Sequence, residues 1–368
     1  MRASAISGAL LALASLVSAQ TYTDCDPTKK TCPADLAIGG DYTIDFTKGK
    51  NSFFSLAAGT TLTYDKSKGA VFSIANEKQA PTISSLGYIF FGKLEVELVA
   101  APGAGIVTSI VLQSDCLDEI DWEWLGGKPD EVQTNYFAKG DTSTYDRGGV
   151  HAVSASTSTF HTYTIEWTAD ALTWSIDGNA VRTLTYADAK GGKEYPQTPM
   201  QVKLGTWVAG RSDAPKGTVD WSGGYANFDN GPSLSYYKRV VVQDYMGGNK
   251  AAKSYIYSDR SGTWQSITVD TEGEGLQDKG VDNGDEDNKS STASRPSSST
   301  ATKNSTSTAE PTSSSTGSSD ATTTDGADAD ADADAQETGA PDSGASVMKS
   351  LTVAGAVLSG IAVFANLL

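Results

Sequence analysis

The sequence predicts an all-β protein, a sandwich of two packed sheets, over about 230 residues between positions 41 and 270. Several short runs alternate apolar and polar residues with a period of two, as half-buried strands do. Turn-forming Gly, Pro, Asn and Asp residues separate these runs. No segment keeps a helical period over three turns. A chain of this length can bury one core of its own.

The predicted strands are short, and each ends at a turn signal. Asp177-Gly178-Asn179 is a hairpin signal between two of them. The strands that we expect, in chain order, are residues 88–99, 106–112, 172–176, 181–184 and 234–245.

One predicted strand carries three acids. In DEIDWEWLGG, residues 118–127, Glu119, Asp121 and Glu123 alternate with Ile and Trp side chains. Successive side chains of a strand point to opposite faces, so the three acids share one face and the apolar residues share the other. The pair Gly126-Gly127 then ends the strand in a turn.

Three interpretations of this cluster are open. An acidic run is usually a solvated face, although flanking tryptophans indicate a rigid, half-buried strand. A calcium loop needs a flexible turn with glycine at its sixth position, which Ile120 and Trp122 do not suit. The third interpretation is glycoside cleavage with retention, which needs one carboxylate as nucleophile and one carboxylic acid as proton donor. Asp121, between the two glutamates, would share a proton with Glu119 and help to separate the glutamate pKa values.

The acid strand resembles the E-[I/L]-D-x-E signature of glycoside hydrolase family 16. Within that family it is most similar to the fungal Crh-type branch, the cell-wall transglycosylases that join chitin to β-glucan. The resemblance covers roughly residues 21–270. Further stretches that resemble the family are QTNYF at 133–137, FHTYTIEW at 160–167, residues 199–207 and GTVDW at 217–221.

The resemblance implies a concanavalin-like jelly roll with a concave substrate cleft, formed by a catalytic domain at residues 20–270. It implies Glu119 as nucleophile, Asp121 as the assisting acid and Glu123 as proton donor and later base. Chitin would be the donor, and β-glucan or chitin the acceptor. No cofactor and no metal are expected, and the two histidines of the chain give a zinc site little support. Glu123 is also expected to contact substrate.

Several other residues are predicted to bind sugar. Lys203 and Trp207 share one face of a strand, and Thr218 shares a face with Asp220 on a later strand-like run. Gln133 and Asn135 lie on the strand that should pair with the acid strand. Trp221 is a further aromatic platform. The alternative for both tryptophans is packing in the core, where most tryptophans lie.

The N-terminal segment, residues 1–19, predicts a secretory signal peptide. Arg2 precedes a short apolar core, and Val17-Ser18-Ala19 fits a small-residue cleavage site. The exported chain would meet an oxidising compartment. Its three cysteines allow three pairings, of which a local Cys25–Cys32 bridge is the simplest. Cys116 would then be a small buried residue, with a reactive thiol as the alternative.

Residues 271–342 predict an extended, disordered stalk. They are acidic and rich in Ser and Thr, so they cannot bury enough apolar surface to fold. Asn288 and Asn304 are N-glycosylation acceptors, and O-glycosylation is also expected. Residues 272–342 contain 4 basic and 16 acidic residues, which accounts for −12 of the net charge of −17. This negative balance argues against nucleic acid as a partner.

Residues 343–368 predict a GPI-anchor signal, with a C-terminal membrane helix as the alternative. Small residues precede a short polar spacer and an apolar tail that ends the sequence. The tail would be removed, and Ser343 or Gly344 would be the attachment site. We therefore expect a secreted monomer held at the cell surface and in the cell wall.

Two other functions remain open at this stage. The same carboxylates could act only by hydrolysis, as a secreted endo-β-glucanase or chitinase. A non-catalytic lectin could use a similar sandwich, although a lectin site does not need three adjacent carboxylates.

Overall fold

The computed structural model describes residues 23–144 and 146–281. The predicted signal peptide, both N-glycosylation acceptors and the predicted anchor segment lie outside these residues. Within this part of the chain, no helix is long and apolar enough to span a membrane.

Two large antiparallel sheets and one small sheet make up the fold, which confirms the all-β prediction. The first large sheet has the order β11 (Gly149–Ala152), β10 (Glu131–Phe137), β9 (Glu119–Leu125), β8 (Ile106–Ser114), β15 (Met200–Val208), β6 (Thr82–Ile89) and β3 (Phe54–Leu56). The second has the order β14 (Asn179–Thr185), β13 (Ala171–Ile176), β12 (His161–Trp167), β7 (Gly92–Val99), β16 (Ser233–Asp244), β5 (Gly69–Ile74) and β4 (Thr63–Asp65), with β2 (Asp41–Asp45) also paired to β16. The small sheet has the order β1 (Asp35–Leu36), β17 (Ser254–Tyr257) and β18 (Ile267–Asp270).

Helices are few and short in the described residues. One α-helix, α1, spans Lys216–Trp221. Single-turn 3₁₀ helices span Phe46–Lys48, Met246–Gly248, Trp264–Ser266 and Leu276–Lys279.

The main core lies between the two large sheets. Trp122 and Trp124 of β9 are fully buried in it and stack with their ring centroids 6.1 Å apart. Tyr163 of β12 meets the Trp124 ring edge-on at 4.4 Å. Trp174 of β13 reaches across and donates its indole N–H to the backbone oxygen of Asp121 at 3.1 Å. Side chains of the second sheet therefore pack against and bond to the acid strand across the core.

The predicted strand at residues 88–99 proved to be two strands in different sheets. β6 ends at Ile89 and β7 begins at Gly92, and Phe91 between them has a φ of 57°. A Cβ on Gly92 would lie 2.2 Å from the Gln243 backbone oxygen, so the close approach requires glycine. Both halves alternate, and Phe90 and Phe91 connect them, so a single glycine, Gly92, marks this junction in the sequence.

The prediction of a strand-like segment at residues 217–221 was wrong, because these residues form α1. Thr218 and Asp220 consequently do not share a face: Thr218 is buried and Asp220 is exposed. The segment is too short to show a helical period, and its Thr, Val and Trp residues favour strands. Pro215 immediately precedes the helix, a position that suits proline since its missing N–H would have no partner in the helix.

The ends of the described chain pack against the fold. Cys25 and Cys32 form the predicted disulfide, with their Cα atoms 5.8 Å apart. Cys116 is buried, and this burial raises the pKa of its thiol.

Past Asp270 the chain continues into the last 3₁₀ helix, where Leu276 is buried in the main core.

Candidate active site

The acid strand β9 lies inside the first sheet, between β8 and β10. Its apolar residues face the core, so its three acids face the opposite side of the sheet. Glu123 is paired with Ser109 of β8 and with Gln133 of β10, and Asp121 is paired with Asn135. Glu119, Asp121 and Glu123 are exposed by only 1%, 0% and 3%. The predicted pairing of the strand that carries Gln133 and Asn135 with the acid strand is confirmed.

A tight turn between β8 and β9 fixes the start of the acid strand. Leu117 occupies the left-handed region with a φ of 62°. Across the turn, the Ser114 backbone N–H donates to the Asp118 backbone oxygen, and the Asp118 backbone N–H donates to the Ser114 hydroxyl, both at 2.9 Å. The buried Asp118 carboxylate accepts bonds from the backbone N–H groups of Lys139, Gln197 and Thr198 at 2.9 to 3.0 Å, and from the Thr198 hydroxyl at 2.7 Å. Asp118 thus ties three segments together one residue before Glu119.

Burial and mutual repulsion separate the protonation states of the acids. Burial, with a further contribution from the Glu119 charge, raises the pKa of Glu123 to about 8. The pKa of Asp121 is raised well above its ordinary value by burial, then by the charges of Glu119 and Glu123. Both shifts favour the protonated forms of Glu123 and Asp121.

The Asp121 carboxyl group contacts the carboxyl group of Glu119. Neither of its carboxyl oxygens meets an N–H donor or a hydroxyl in the described part of the chain. Its carboxyl instead meets that of Glu119. Two carboxyl groups form a hydrogen bond only when one carries a proton, so we assign that proton to Asp121. Asp121 then donates to the ionised Glu119.

A chain of polar side chains supports Glu119 from β8 and β15. Gln113 Nε2 donates to Glu119 Oε2 at 2.9 Å, and Lys203 Nζ donates to Gln113 Oε1 at 2.7 Å. The lysine fixes the orientation of the amide, since an ammonium group can only donate. The amide N–H2 then points at the carboxylate. Burial lowers the pKa of Lys203, and the negative charge of Glu119 opposes that shift.

Two predicted platforms meet at the Glu123 end of the sheet. Trp207 and Trp221 stack with centroids 6.2 Å apart, in a small apolar cluster separate from the main core. Trp221 donates its indole N–H to Gln133 Oε1 at 2.9 Å. Thr218 lies one turn earlier in α1, on the same side of the helix as Trp221. The structure thus places Gln133 opposite Glu123 and bonds it to Trp221, which stacks on Trp207. It links Lys203 to Glu119 through Gln113.

Sequence reasoning missed two residues of this site. Gln113 was not selected because the predicted strand ended at residue 112, although continued alternation would have placed it on the acid face with Ser109. Asp118 was quoted in the motif without a role, because its three backbone partners lie 21 to 80 residues away. Among the described residues, no group of three or more His, Cys, Asp or Glu side chains is placed to hold a metal ion.

Comparisons with known proteins show the family to which the chain belongs. Residues 44–223 match the model of glycosyl hydrolases family 16. Crh-like protein 5 of Aspergillus fumigatus is 51% identical over 264 residues, which are 71% of this chain and 65% of that protein. Crh-like protein 1 of the same organism is 48% identical over 270 residues, 73% of this chain and 72% of that protein. The chain thus spans just under two thirds of the first relative.

A solved structure, a Crh5 transglycosylase in complex with NAG, has the same fold. It superposes with a TM-score of 0.64 and 51% identity, covering 67% of this chain and all of that one. This likeness confirms the jelly-roll prediction. The chain therefore belongs to glycosyl hydrolase family 16, among its fungal Crh-like proteins.

Proposed function

We propose that this protein is a retaining transglycosylase that cleaves chitin and transfers it to β-glucan or chitin. The observation that supports this most directly is the set of three buried acids on one strand face, in which Glu119 accepts a hydrogen bond and the pKa of Glu123 is raised. A retaining enzyme needs one ionised carboxylate and one protonated one. Gln113 and Asp121 favour the ionised form of Glu119 by donating hydrogen bonds to it, while Glu123 keeps its proton up to a pH of about 8.

The first step forms a covalent intermediate. An ionised Glu119 oxygen attacks the anomeric carbon, and the bond from that carbon to the glycosidic oxygen breaks. Glu123 gives its proton to the departing oxygen, so the leaving chain departs as an alcohol. Glu119 is then joined to the donor sugar, and Glu123 is ionised.

The second step transfers the sugar. Glu123 takes the proton of an incoming hydroxyl, whose oxygen attacks the anomeric carbon and releases Glu119. A sugar hydroxyl gives transfer and water gives hydrolysis, so the outcome depends on how well an acceptor is held. Gln133, Asn135 and the Trp207–Trp221 pair are the residues that we assign to holding sugar near the acids. Lys203 and Thr218 complete this proposed binding surface.

The substrate assignment draws support from a relative. The similar solved structure is a transglycosylase that holds NAG, N-acetylglucosamine, the unit of chitin. We propose that the mature chain acts as a monomer at the cell surface, where it cross-links the wall. The structure packs residues 271–281 against the fold, so the predicted stalk would begin after residue 281. The signal peptide, this glycosylated stalk up to residue 342 and a GPI anchor at Ser343 or Gly344 belong to the same proposal.

One experiment separates the possible functions. The exported protein is incubated with chitin oligosaccharides and a fluorescent β-glucan acceptor, and the products are sized. Longer labelled products support transfer, whereas shorter unlabelled products alone would reduce the proposal to hydrolysis. Unchanged oligosaccharides that still bind would indicate a lectin. Glu119→Gln serves as the control, because it retains the binding residues and lacks the nucleophile.

A further inference from the structure

A positively charged surface lies on the outer face of the second sheet, the face that points away from the core. It is centred on a β-bulge in β16, where the pairing with β7 shifts between Tyr237 and Arg239. Tyr237 and Val240 are both fully buried in the core, so two residues rather than one separate successive core positions. The bulge therefore directs both Lys238 and Arg239 away from the core.

Two other segments bring lysines to the bulge. Asp45, the last residue of β2, pairs with Arg239, so the 3₁₀ helix that follows β2 begins beside the bulge. The turn between β4 and β5 reaches the same point, because Lys68 Nζ lies 4.6 Å from the centre of the Tyr236 ring. Five bases meet here and form what we call the basic patch: Lys48, Lys66, Lys68, Lys238 and Arg239.

The acids beside the basic patch do not neutralise it. Three acids neighbour the five bases: Asp45, Asp65 and Glu97. Lys238 Nζ pairs with Glu97 Oε1 at 2.7 Å. Lys48, Lys66 and Arg239 are exposed and form no ion pair with another described residue. Five bases and three acids leave a local charge of +2 on a chain whose net charge is −17, which favours a negatively charged partner.

The described chain ends within reach of the basic patch. Its last 3₁₀ helix lies beside the start of β2, where Gln277 Nε2 donates to the Gly39 backbone oxygen. Val281 then packs against the main core. The distance along β2 from Tyr42 to Asp45, beside the bulge, is roughly 10 Å. Six further residues can span roughly 20 Å when extended, which is enough to cover that distance.

The next residues of the sequence carry the opposite charge. Residues 282–287, which lie outside the described part of the chain, read Asp-Asn-Gly-Asp-Glu-Asp, with four acids and no base. A segment joined to a surface by a short tether has an effective concentration there on the order of millimolar. Individually weak ion pairs can then hold it, whereas a free ligand would need a higher affinity.

We propose that the basic patch is an intramolecular docking surface for the acidic segment 282–287, the first six residues of the predicted stalk. The segment passes along β2 and places its carboxylates against Lys48, Lys66 and Arg239. Asp41 is exposed at the start of β2, so the contacts belong to the later acids of the segment. Docking on this face keeps four negative charges away from the acid face of the first sheet.

Zero-length carbodiimide cross-linking of the full exported protein tests this docking. The reagent joins carboxyl groups to lysine amines in contact with them, and mass spectrometry identifies the linked peptides. We expect links from the acidic segment to Lys48, Lys66 or Lys68, and their loss in about 1 M salt, where the Debye length is about 3 Å. Arg239→Glu should reduce these links about fivefold, because it replaces an attraction by a repulsion and removes no group that reacts.

Arg260→Glu is the matched control, because Arg260 is exposed in the loop after β17 and its reversal should leave the links unchanged. The Lys253–Asp278 ion pair supplies a link that checks the reagent in every sample. Links to other lysines alone, links that persist in Arg239→Glu, or no links from the segment would each overturn the docking. Links between isotopically labelled and unlabelled copies would also overturn it, because a second copy would then occupy the basic patch.

Discussion

Glu123 is the residue whose environment does most to define the chemistry of this site. It is buried beside an ionised neighbour on the same strand face, and its pKa is raised to about 8. The ionised form of Glu119 is favoured instead, because the Gln113 amide donates a hydrogen bond to its carboxylate. In the proposed mechanism, two side chains of the same kind therefore start the reaction in opposite protonation states.

Replacing either glutamate separates these roles. We expect Glu119→Gln and Glu123→Gln to retain the fold and to lose turnover by roughly 100-fold or more on natural glycans. With a donor whose leaving group needs no proton, Glu123→Gln should regain formation of the covalent intermediate, while Glu119→Gln should not. Stopped-flow release of the leaving group gives the measurement. Normal turnover of chitin by either purified variant would exclude that residue from the mechanism.

The same assignment predicts the pH dependence of the wild type. Glu123 must hold its proton to act as an acid, so kcat/KM should fall as pH rises through about 8. The acid limb should follow the loss of charge on Glu119. A rate that stays level from pH 6 to pH 10 would contradict this assignment.

Asp121 should matter less than either glutamate, because it makes no bond to the substrate. Asp121→Asn keeps a hydrogen-bond donor toward Glu119 but removes the shared proton. We expect kcat to fall more than KM rises, and the pH optimum to move, with Asp121→Ala losing more activity than Asp121→Asn. If the Asn variant keeps both limbs and full turnover, Asp121 is only a spacer.

Gln113 offers a test of the support given to Glu119, the proposed nucleophile. Gln113→Met has a similar volume and cannot donate a hydrogen bond, so it should disfavour the ionised form of Glu119. We expect a roughly tenfold lower kcat, and an acid limb shifted to higher pH, with KM almost unchanged. An unshifted limb in the pH–rate profile would show that the amide has only a packing role.

At the scale of the element, the acid strand depends on the turn that precedes it. Leu117 adopts a left-handed conformation there, and Asp118 satisfies three backbone N–H groups from two other segments. A buried N–H group without a partner costs free energy. The turn is therefore held by a side chain that does no chemistry.

Asp118→Ala should consequently destabilise the fold. We expect the free energy of unfolding in urea to fall by about 3 kcal/mol or more, since three buried donors lose their acceptor. Asp118→Asn should lie between this variant and the wild type. Asp170→Ala is a suitable control, because Asp170 is exposed, and its effect should stay within about 0.5 kcal/mol. Equal stability of the Asp118 and Asp170 variants would contradict the role of the turn.

At the scale of the whole molecule, buried carboxyl groups link stability to pH. Burial is the largest cause that raises the pKa of Asp35 and of Glu123 to about 8, and that of Asp244 to about 6. Such groups bind a proton more tightly in the folded chain than in the unfolded chain. Their contribution to stability is full below the unfolded values near 4, and it is lost as pH rises through the folded values.

The protein should therefore be most stable at mildly acidic pH. We expect Tm to fall steadily from about pH 5 to about pH 8, with Glu123 alone contributing on the order of 3 kcal/mol. Glu123→Gln should flatten this decline, because glutamine has no proton to lose. A Tm that is constant or rises over this interval would show that these carboxyls do not control stability.

The sequence by itself determined the features that depend on neighbours along the chain. The period of two in residues 119–125 decides which side chains face the core and which face the opposite side of the sheet. The Asp177-Gly178 turn closes its hairpin, with both residues at positive φ. The Cys25–Cys32 bridge closes a loop of seven positions. Each of these rests on local backbone geometry, which the residue types dictate directly.

Only the tertiary structure decided the features that join distant positions. Gln113 and Lys203 are 90 residues apart, and Trp221 and Gln133 are 88 apart. The segment that contains Trp221 is helical because of its place against the sheet, against the strand preference of its residues. The raised pKa of Glu123 depends on burial and on the neighbouring charge of Glu119, and both exist only once the chain has folded.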